Sequence, residues 1–223
     1  MGETASDFLA HTLGPFPAVA LSGIGLVLTL VFQFRARRHA AGRYWAAVVM
    51  VSVFGTLAAD AAHVGFGVPY WASTAGFLVA LGLIFLLWQR SEGTLSVHSI
   101  FTPRRELYYW ATVLCTFALG TAAGDLTAVT LGLGWLASAL LFAGLIMVPG
   151  LLGRLGLNSV LAFWWAYVLT RPLGASFADW TALPHRRGGL GFGTGAVTLA
   201  LSGVILLLVV YLAFGRRDAE LQS

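Results

Sequence analysis

Seven long apolar stretches constrain the fold of this chain more than any other feature of its sequence. Each has about 20 residues, the length at which an α-helix crosses the hydrocarbon core of a bilayer. Of the 223 residues, 58% are hydrophobic and only 10% are charged, so little of the chain remains for a soluble domain. The sequence therefore predicts an all-α, polytopic membrane helix bundle that forms a single transmembrane domain over residues 1–223. The predicted spans are residues 15–34, 43–65, 68–90, 107–130, 131–153, 158–180 and 191–215.

The arginines predict how these helices are oriented. All 13 basic residues are arginines, and ten of them lie in connections on one side of the predicted bundle. Because arginine-rich connections stay in the cytoplasm, this side is predicted to be cytoplasmic, together with the C-terminus. The opposite side has only Arg186 and Arg187, and Arg171 lies within a span. The ten arginines are Arg35, Arg37, Arg38, Arg43, Arg90, Arg104, Arg105, Arg154, Arg216 and Arg217.

The chain repeats one motif in register. Three segments align with one another without a gap: YWAAVVMVSVFGTLAAD (44–60), YWATVLCTFALGTAAGD (109–125) and FWWAYVLTRPLGASFAD (163–179). A fourth, shorter segment, GETASD (2–7), matches the ends of these three. Each unit is an Asp-bearing helix, a tight turn and a plainer apolar helix, so successive units enter the membrane from the same side. Such parallel repeats are related by an axis along the membrane normal. The four repeats are predicted at residues 1–38, 39–93, 104–155 and 156–217.

The chain resembles a known family of membrane proteins. It is similar to a family of bacterial integral membrane proteins that consist of four tandem two-helix repeats and are described as a repeat of unknown function. The resemblance is strongest in the segments TLSVHSI (94–100), RRELYYW (104–110) and TRPLGASFADW (170–180). The resemblance covers essentially the whole chain and implies an eight-helix, multi-pass protein of the bacterial inner (plasma) membrane. It implies no established activity. The first repeat lacks the tryptophan and the first half of its helix, so either the reading frame extends upstream, which we expect, or the first helix is half-length with an exposed amino end.

The repeated aspartate is the strongest candidate for a functional site. On a helix, residues four apart share a face, so Thr56 and Thr121 lie beside the aspartates of the second and third repeats, and Glu3 lies beside that of the first. If the repeats surround one centre, these groups converge at one depth in the membrane. Because four anions would repel one another, some must be protonated, paired with Arg171 or bridged by a cation. The four aspartates are Asp7, Asp60, Asp125 and Asp179.

Two interpretations of the aspartates are open. Ionisable residues inside a membrane are costly and are candidates for function, which favours an ion or solute path. In the alternative, each aspartate hydrogen-bonds a neighbouring helix and only fixes packing. Arg171 is likewise either a structural counter-ion in a helix kinked at Pro172 or a ligand for a substrate anion. Small residues at this spacing form packing ridges in lipid, and the glycines predicted to bring helices close together are Gly55, Gly120, Gly124 and Gly174.

Other candidates carry weaker signals. His63 follows Asp60 by three residues, so the two could share a metal ion, although an interfacial position is more common for such a histidine. The tryptophans near the start of the last three repeats lie where each helix enters the membrane from the arginine-rich side. They are Trp45, Trp110 and Trp164, and they are predicted to form an aromatic belt at the membrane interface.

These features predict a small-cation or proton-coupled transporter or channel with a central cluster of intramembrane aspartates. Oxygen ligands favour a proton or a hard cation such as Mg²⁺, Ca²⁺ or Mn²⁺, and no particular metal is predicted. The alternative is a non-transporting structural or sensory protein. An enzyme is not expected, because the four equivalent aspartates include no distinguished catalytic pair, and no cofactor is predicted. The pI of ≈ 9.7 reflects topology, so the expected partners are the lipid bilayer and a small cation or proton, and not a nucleic acid.

Overall fold

The computed structural model is all-helical over the residues that it describes, which are 1–35 and 41–221. This confirms the predicted fold class. The described ranges contain eight α-helices and no strand. The helices are α1 (Gly2–Leu13), α2 (Pro15–Phe34), α3 (Ala41–Asp60), α4 (Tyr70–Glu92), α5 (Pro103–Asp125), α6 (Trp135–Gly153), α7 (Ser159–Ala182) and α8 (Thr194–Leu221).

Six helical segments within the described ranges are long and apolar enough to cross a membrane. Helix α7 has 24 residues but is not among them, which differs from the seven predicted spans; it contains Arg171 and Asp179, whose charged groups lower its hydropathy. Helix α1 has 12 residues, fewer than the about 20 that a bilayer requires. The six segments are Pro15–Phe34, Ala41–His63, Tyr70–Glu92, Pro103–Thr130, Trp135–Gly153 and Thr194–Tyr211.

The odd-numbered helices form an inner ring. Helix α1 contacts α3, α3 contacts α5, α5 contacts α7, and α7 contacts α1, which closes the ring. The even-numbered helices lie outside it. Burial follows this division, since 67% of the most apolar part of α5 is buried, against 6% of that of α8. In a bilayer the outer helices therefore face lipid, and the inner helices enclose a protein-lined centre.

Each outer helix packs on the inner helix of the next repeat. Helix α2 packs on α3, α4 on α5, α6 on α7, and α8 on α1. The last contact is close, because a Cβ placed at Gly195 in α8 would lie 3.5 Å from the Phe8 ring in α1. A hydrophobic cluster that includes Leu26, Val51 and Val113 joins α2, α3 and α5. The repeats are thus interlocked, and the fourth repeat meets the first to complete the ring.

Glycine turns join the inner and outer helices of the first three repeats. Gly14, Gly67 and Gly132 each follow the aspartate of their repeat by seven residues, and their φ angles are 87°, 64° and 69°. Glycine adopts such angles readily because it has no Cβ. We call this end of the bundle the glycine-turn end. The opposite end, where α4 finishes at Glu92 and α5 begins at Pro103, is called the arginine-rich end.

An ion-pair network connects two helices at the arginine-rich end. The carboxylate of Glu92 lies 2.9 Å from the guanidinium of Arg105 and 3.5 Å from that of Arg104. These contacts join the end of α4 to the start of α5 across the linker between the second and third repeats. Two further arginines that are predicted to be cytoplasmic, Arg37 and Arg38, lie outside the described residues.

Two of the repeated tryptophans are buried within the protein. Trp110 and Trp164 are each only 3% exposed. The indole of Trp110 donates to Glu106 Oε1 at 3.3 Å, and that of Trp164 donates to the Leu95 carbonyl at 2.8 Å. The predicted interfacial belt is therefore wrong for these two residues, which instead anchor the arginine-rich end of the inner ring. Trp45 is half-buried.

Candidate functional site

The aspartates of all four repeats line one cavity inside the ring, toward the glycine-turn end. Its volume is ≈ 710 Å³. Asp179 is buried, with 5% of its surface exposed, and the other three aspartates are half-buried. We call this space the acidic cavity, and its aspartates are Asp7, Asp60, Asp125 and Asp179. Its wall also includes Glu3, His11, Tyr70, Trp135 and Arg187.

The repeat geometry explains why these aspartates converge. Each aspartate occupies the same position in its motif, and in the first three repeats it precedes the turn glycine by seven residues. Seven residues correspond to about two helical turns, or roughly 10 Å along the helix. Because the inner helices belong to parallel repeats arranged in a ring, equal positions on them lie at equal depths and face a common centre.

The four carboxyl groups form no hydrogen bond or ion pair with another described side chain or backbone group. His11 and Arg187 of the same cavity wall nevertheless lie near enough to attract the charge of Asp7. No group of three His, Cys, Asp or Glu side chains in the described ranges could hold a metal ion. The aspartates therefore share a cavity without forming a compact metal site.

Glu3 and two threonines form a polar layer next to the acidic cavity. The hydroxyl of Thr121 donates to Glu3 Oε2 at 2.9 Å, and that of Thr56 reaches the same oxygen at 3.4 Å. The two hydroxyl oxygens lie 3.2 Å apart. The equivalent position in the fourth repeat is Ala175, which has no hydroxyl group to contribute. We call this contact the Glu3 layer; sequence reasoning placed Glu3 on the aspartate face but missed that it joins two other repeats.

Arg171 lines a second cavity on the other side of the Glu3 layer. This cavity has a volume of ≈ 220 Å³, and Glu3 belongs to its wall as well. The guanidinium carbon of Arg171 lies 3.9 Å from the ring centre of Phe117 and 4.7 Å from that of Tyr167. Arg171 is in no ion pair between described residues. The structure thus does not pair Arg171 with an aspartate; we call this second space the arginine cavity.

Two of the four predicted packing glycines lie where neighbouring inner helices approach closely. A Cβ placed at Gly55 in α3 would lie 2.7 Å from Phe117 Cβ in α5. A Cβ placed at Gly120 in α5 would collide with Arg171 Cβ and lie 3.0 Å from the Pro172 nitrogen in α7. Phe117 lies three residues before Gly120, and Arg171 lies three residues before Gly174, so each glycine contacts the same motif position of the next repeat. Helix α3 therefore packs on α5 in the same way as α5 packs on α7.

The remaining two glycines differ from each other. A Cβ at Gly124 would lie 3.3 Å from Ser176 Oγ in α7, so this position also adjoins a neighbouring helix. Gly174 is exposed, and a Cβ there would meet nothing within 4 Å. The predicted packing role is therefore wrong for Gly174. It lines the arginine cavity instead.

His63 is engaged in local contacts. Its Nδ1 lies 2.8 Å from the Val68 carbonyl, and its Nε2 lies 3.3 Å from Ser73 Oγ. Its ring also packs on Tyr70, with ring centres 4.1 Å apart. These contacts tie the turn after α3 to the start of α4. His63 therefore has a structural partner on each ring nitrogen, and it belongs to no group of three potential metal ligands among the described residues.

Three segments of the chain match one family, whose description is Repeat of Unknown Function (DUF347). The matched segments are residues 43–94, 108–153 and 162–218. The chain belongs to the DUF347 family. Each match contains one inner helix, its turn and the following outer helix, so the DUF347 unit coincides with the structural repeat. The chain matches no curated protein and no solved structure.

In two of the DUF347 repeats a π-helical segment follows the aspartate directly. These segments are Ala61–Gly65 after α3 and Leu126–Thr130 after α5. In the fourth repeat, α7 continues as an α-helix from Asp179 to Ala182. π-Helical segments within α-helices frequently occur at functional sites. Sequence reasoning missed them, since their composition is that of an ordinary apolar helix.

Three wall residues of the acidic cavity come from outside the repeated motif. Tyr70 and Trp135 begin the outer helices α4 and α6, and Arg187 lies in the insertion that replaces the glycine turn of the fourth DUF347 repeat. The indole of Trp135 donates to the Arg187 carbonyl at 3.0 Å, which holds this insertion against α6. Their location directly after turns is the sequence signal that could have identified them.

Proposed function

We propose that this DUF347 protein is a proton- or small-cation-coupled transporter or channel in which the acidic cavity binds the transported or coupling ion. The observation that carries this proposal is that the aspartates of all four repeats line one cavity inside the helix ring. Carboxyl groups inside a membrane are energetically costly, and they are usually directed toward a water-filled path or another polar group. Four of them around one cavity create a site that attracts positive charge.

The absence of fixed partners supports transport over a packing role. In a packing role, each aspartate would hydrogen-bond a neighbouring helix, as Thr121 bonds Glu3. The described residues include no such bond to any of the four aspartates. Close helix contact arises instead at glycines such as Gly55 and Gly120, one or more turns away from the carboxyl groups. No fixed hydrogen bond would therefore have to break when a carboxyl group exchanges an ion.

The geometry supports a proton more than a divalent metal. A proton needs a single carboxyl oxygen, whereas Mg²⁺ or Ca²⁺ takes six or more oxygen ligands, several of them from the protein. No three candidate ligands in the described chain are close enough together to hold a metal ion. Repulsion between carboxylates in one cavity favours proton uptake by some of them.

The Glu3 layer is the barrier that an ion would have to cross. Ser52 and Thr56 of α3 line the arginine cavity, and Asp60 of the same helix lines the acidic cavity. The two cavities therefore lie one after the other along the axis of the helix ring. Glu3 belongs to both walls. An ion that passes from one cavity to the other must therefore displace the hydroxyl groups bound to Glu3, or use the Glu3 carboxyl group as a carrier.

Flux through reconstituted liposomes tests this proposal. The purified chain is incorporated into liposomes with a pH-sensitive dye inside, a potassium diffusion potential is imposed, and proton entry is followed; Mg²⁺, Ca²⁺ and Mn²⁺ entry is followed in parallel with metal-sensitive dyes. We expect proton flux above that of protein-free liposomes. Each of the variants Asp60→Asn, Asp125→Asn and Asp179→Asn should lower it by about 100-fold or more, as the loss of a positioned proton carrier does.

The same series separates transport from a structural role. Variants that insert and elute as folded protein but carry no flux support transport. Folded wild-type protein with no flux of any of these ions, or aspartate variants that fail to fold, would contradict the proposal and favour a non-transporting structural or sensory protein.

A further inference from the structure

We propose that the arginine cavity is a binding site for a small planar oxyanion of the carboxylate, nitrate or bicarbonate class, held by Arg171. This inference does not depend on the proposed function, because it concerns a different cavity and an ion of opposite charge. It rests on the surroundings of one guanidinium group.

Two aromatic rings pack against the Arg171 guanidinium, and its Nε–H has no acceptor among the described residues. Phe117 and Tyr167 lie over the group at 3.9 Å and 4.7 Å from their ring centres. The Nε atom is buried and has no hydrogen-bond partner among the described residues. A buried donor without an acceptor loses its hydration and gains nothing in return. A buried cation without a counter-ion is costlier still.

The cavity wall supplies no anion in contact with Arg171. Glu3 is the acidic residue among those that line this cavity. Its carboxyl group is engaged by the hydroxyls of Thr121 and Thr56, and it does not come within ion-pair distance of Arg171 in the described structure. The positive charge of Arg171 therefore lacks a fixed partner, although it lies beside open space.

The shape of the site favours a planar oxyanion. A guanidinium presents parallel N–H groups along its edge, and these match two oxygens of a carboxylate or nitrate ion. Because two aromatic rings pack against the planar group, a ligand would meet its N–H edge. The cavity of ≈ 220 Å³ has room for such an ion and accompanying water, since one water molecule takes about 30 Å³ in the liquid.

Calorimetric titration of the purified full-length chain tests this site. Formate and nitrate are added as salts of N-methyl-D-glucamine, a bulky cation that is too large to act as a small-cation ligand in the acidic cavity, and chloride serves as a spherical comparison. We expect saturable binding of formate and nitrate at one site per chain, and weaker binding of chloride. Arg171→Gln should weaken formate binding by about 10- to 100-fold, the usual effect of removing a charge-assisted hydrogen bond.

Two further variants make the result specific. Arg90→Gln removes the same charge from an exposed position at the end of α4 and should bind formate like the wild type. Gly174→Leu keeps Arg171 but puts a side chain into the arginine cavity at a position where a Cβ meets nothing within 4 Å. It should fold and bind formate less tightly, so it decides the question even if Arg171→Gln does not fold.

Three results would overturn the proposal. They are the absence of saturable formate and nitrate binding by folded wild-type protein, unchanged binding by folded Arg171→Gln or Gly174→Leu, and an equal loss in Arg90→Gln. Asp125→Asn should retain formate binding whether or not it carries ion flux. The two proposals can therefore fail separately.

Discussion

Gly120→Ala and Gly174→Ala change the same motif position in successive repeats, and the structure predicts different effects on stability. Both glycines lie inside helices, so alanine gains about 1 kcal/mol of helix propensity at each position. At Gly174 the added methyl group meets nothing within 4 Å, and this gain is retained. At Gly120 it would lie 2.9 Å from the Arg171 carbonyl carbon and 3.0 Å from the Pro172 nitrogen. These are backbone atoms that cannot rotate away, so α5 and α7 must separate.

The expected difference follows from this contact. Overpacking of a well-packed interface costs about 1–3 kcal/mol. Because the gain in helix propensity is common to both variants, Gly120→Ala should be less stable than Gly174→Ala by about 1–3 kcal/mol. The assay is equilibrium unfolding in mixed micelles with increasing dodecyl sulfate. Thermal unfolding gives a second readout, since 1 kcal/mol corresponds to a shift of about 2–4 °C for a chain of this size.

Equal stability of the two alanine variants would refute this packing argument. It would mean that α5 and α7 do not approach each other at Gly120, and the closed ring would lose one of its contacts. Gly55→Ala provides an internal check, because its Cβ would lie 2.7 Å from Phe117 Cβ in α5. It should be destabilised in the same direction as Gly120→Ala.

Three other predictions concern topology and the path. A reporter fused at position 98 should report the cytoplasm, because arginines flank this linker; an external signal would contradict the orientation. Asp125→Cys in a Cys115→Ser background should react with a water-soluble maleimide, since residue 125 lines the acidic cavity; labelling by lipid-soluble reagents alone would mean that it faces lipid. Thr121→Val should raise ion flux because it removes a hydroxyl that holds the Glu3 layer closed, whereas Thr116→Val, which removes a buried hydroxyl bonded to its own helix, should leave the flux unchanged. Equal effects of the two threonine variants would contradict a role for the layer.

The common location of the aspartates could be inferred from the sequence because it depends only on spacing. Asp60 and Asp125 hold the same position in parallel repeats, so any closed arrangement of those repeats brings them to one depth. The eight-helix, all-α architecture follows from the same repeats and from the apolar stretches. Neither inference requires knowledge of how one helix crosses another.

The position of Arg171 could not be inferred in this way. It depends on the crossing of α5 and α7, which sets the backbone of Arg171 against Gly120 and turns its side chain toward Phe117. The different surroundings of Gly120 and Gly174 also depend on how the inner helices of neighbouring repeats cross. Hydropathy also does not distinguish an indole in lipid from one inside the protein, which is why the burial of Trp110 was not predicted.

The central claim is that the acidic cavity carries ions. It is tested most directly by comparing proton flux through liposomes that contain Asp125→Asn with the flux through liposomes that contain Glu106→Gln. Both variants remove one carboxyl group from α5. Glu106 lies at the start of the helix and accepts hydrogen bonds from Gln33 at 3.0 Å and Trp110 at 3.3 Å, and a glutamine there keeps an acceptor oxygen. The account predicts that Asp125→Asn loses proton flux while Glu106→Gln retains it. Full flux in folded Asp125→Asn, or equal losses in both variants, would contradict a transport role for the acidic cavity.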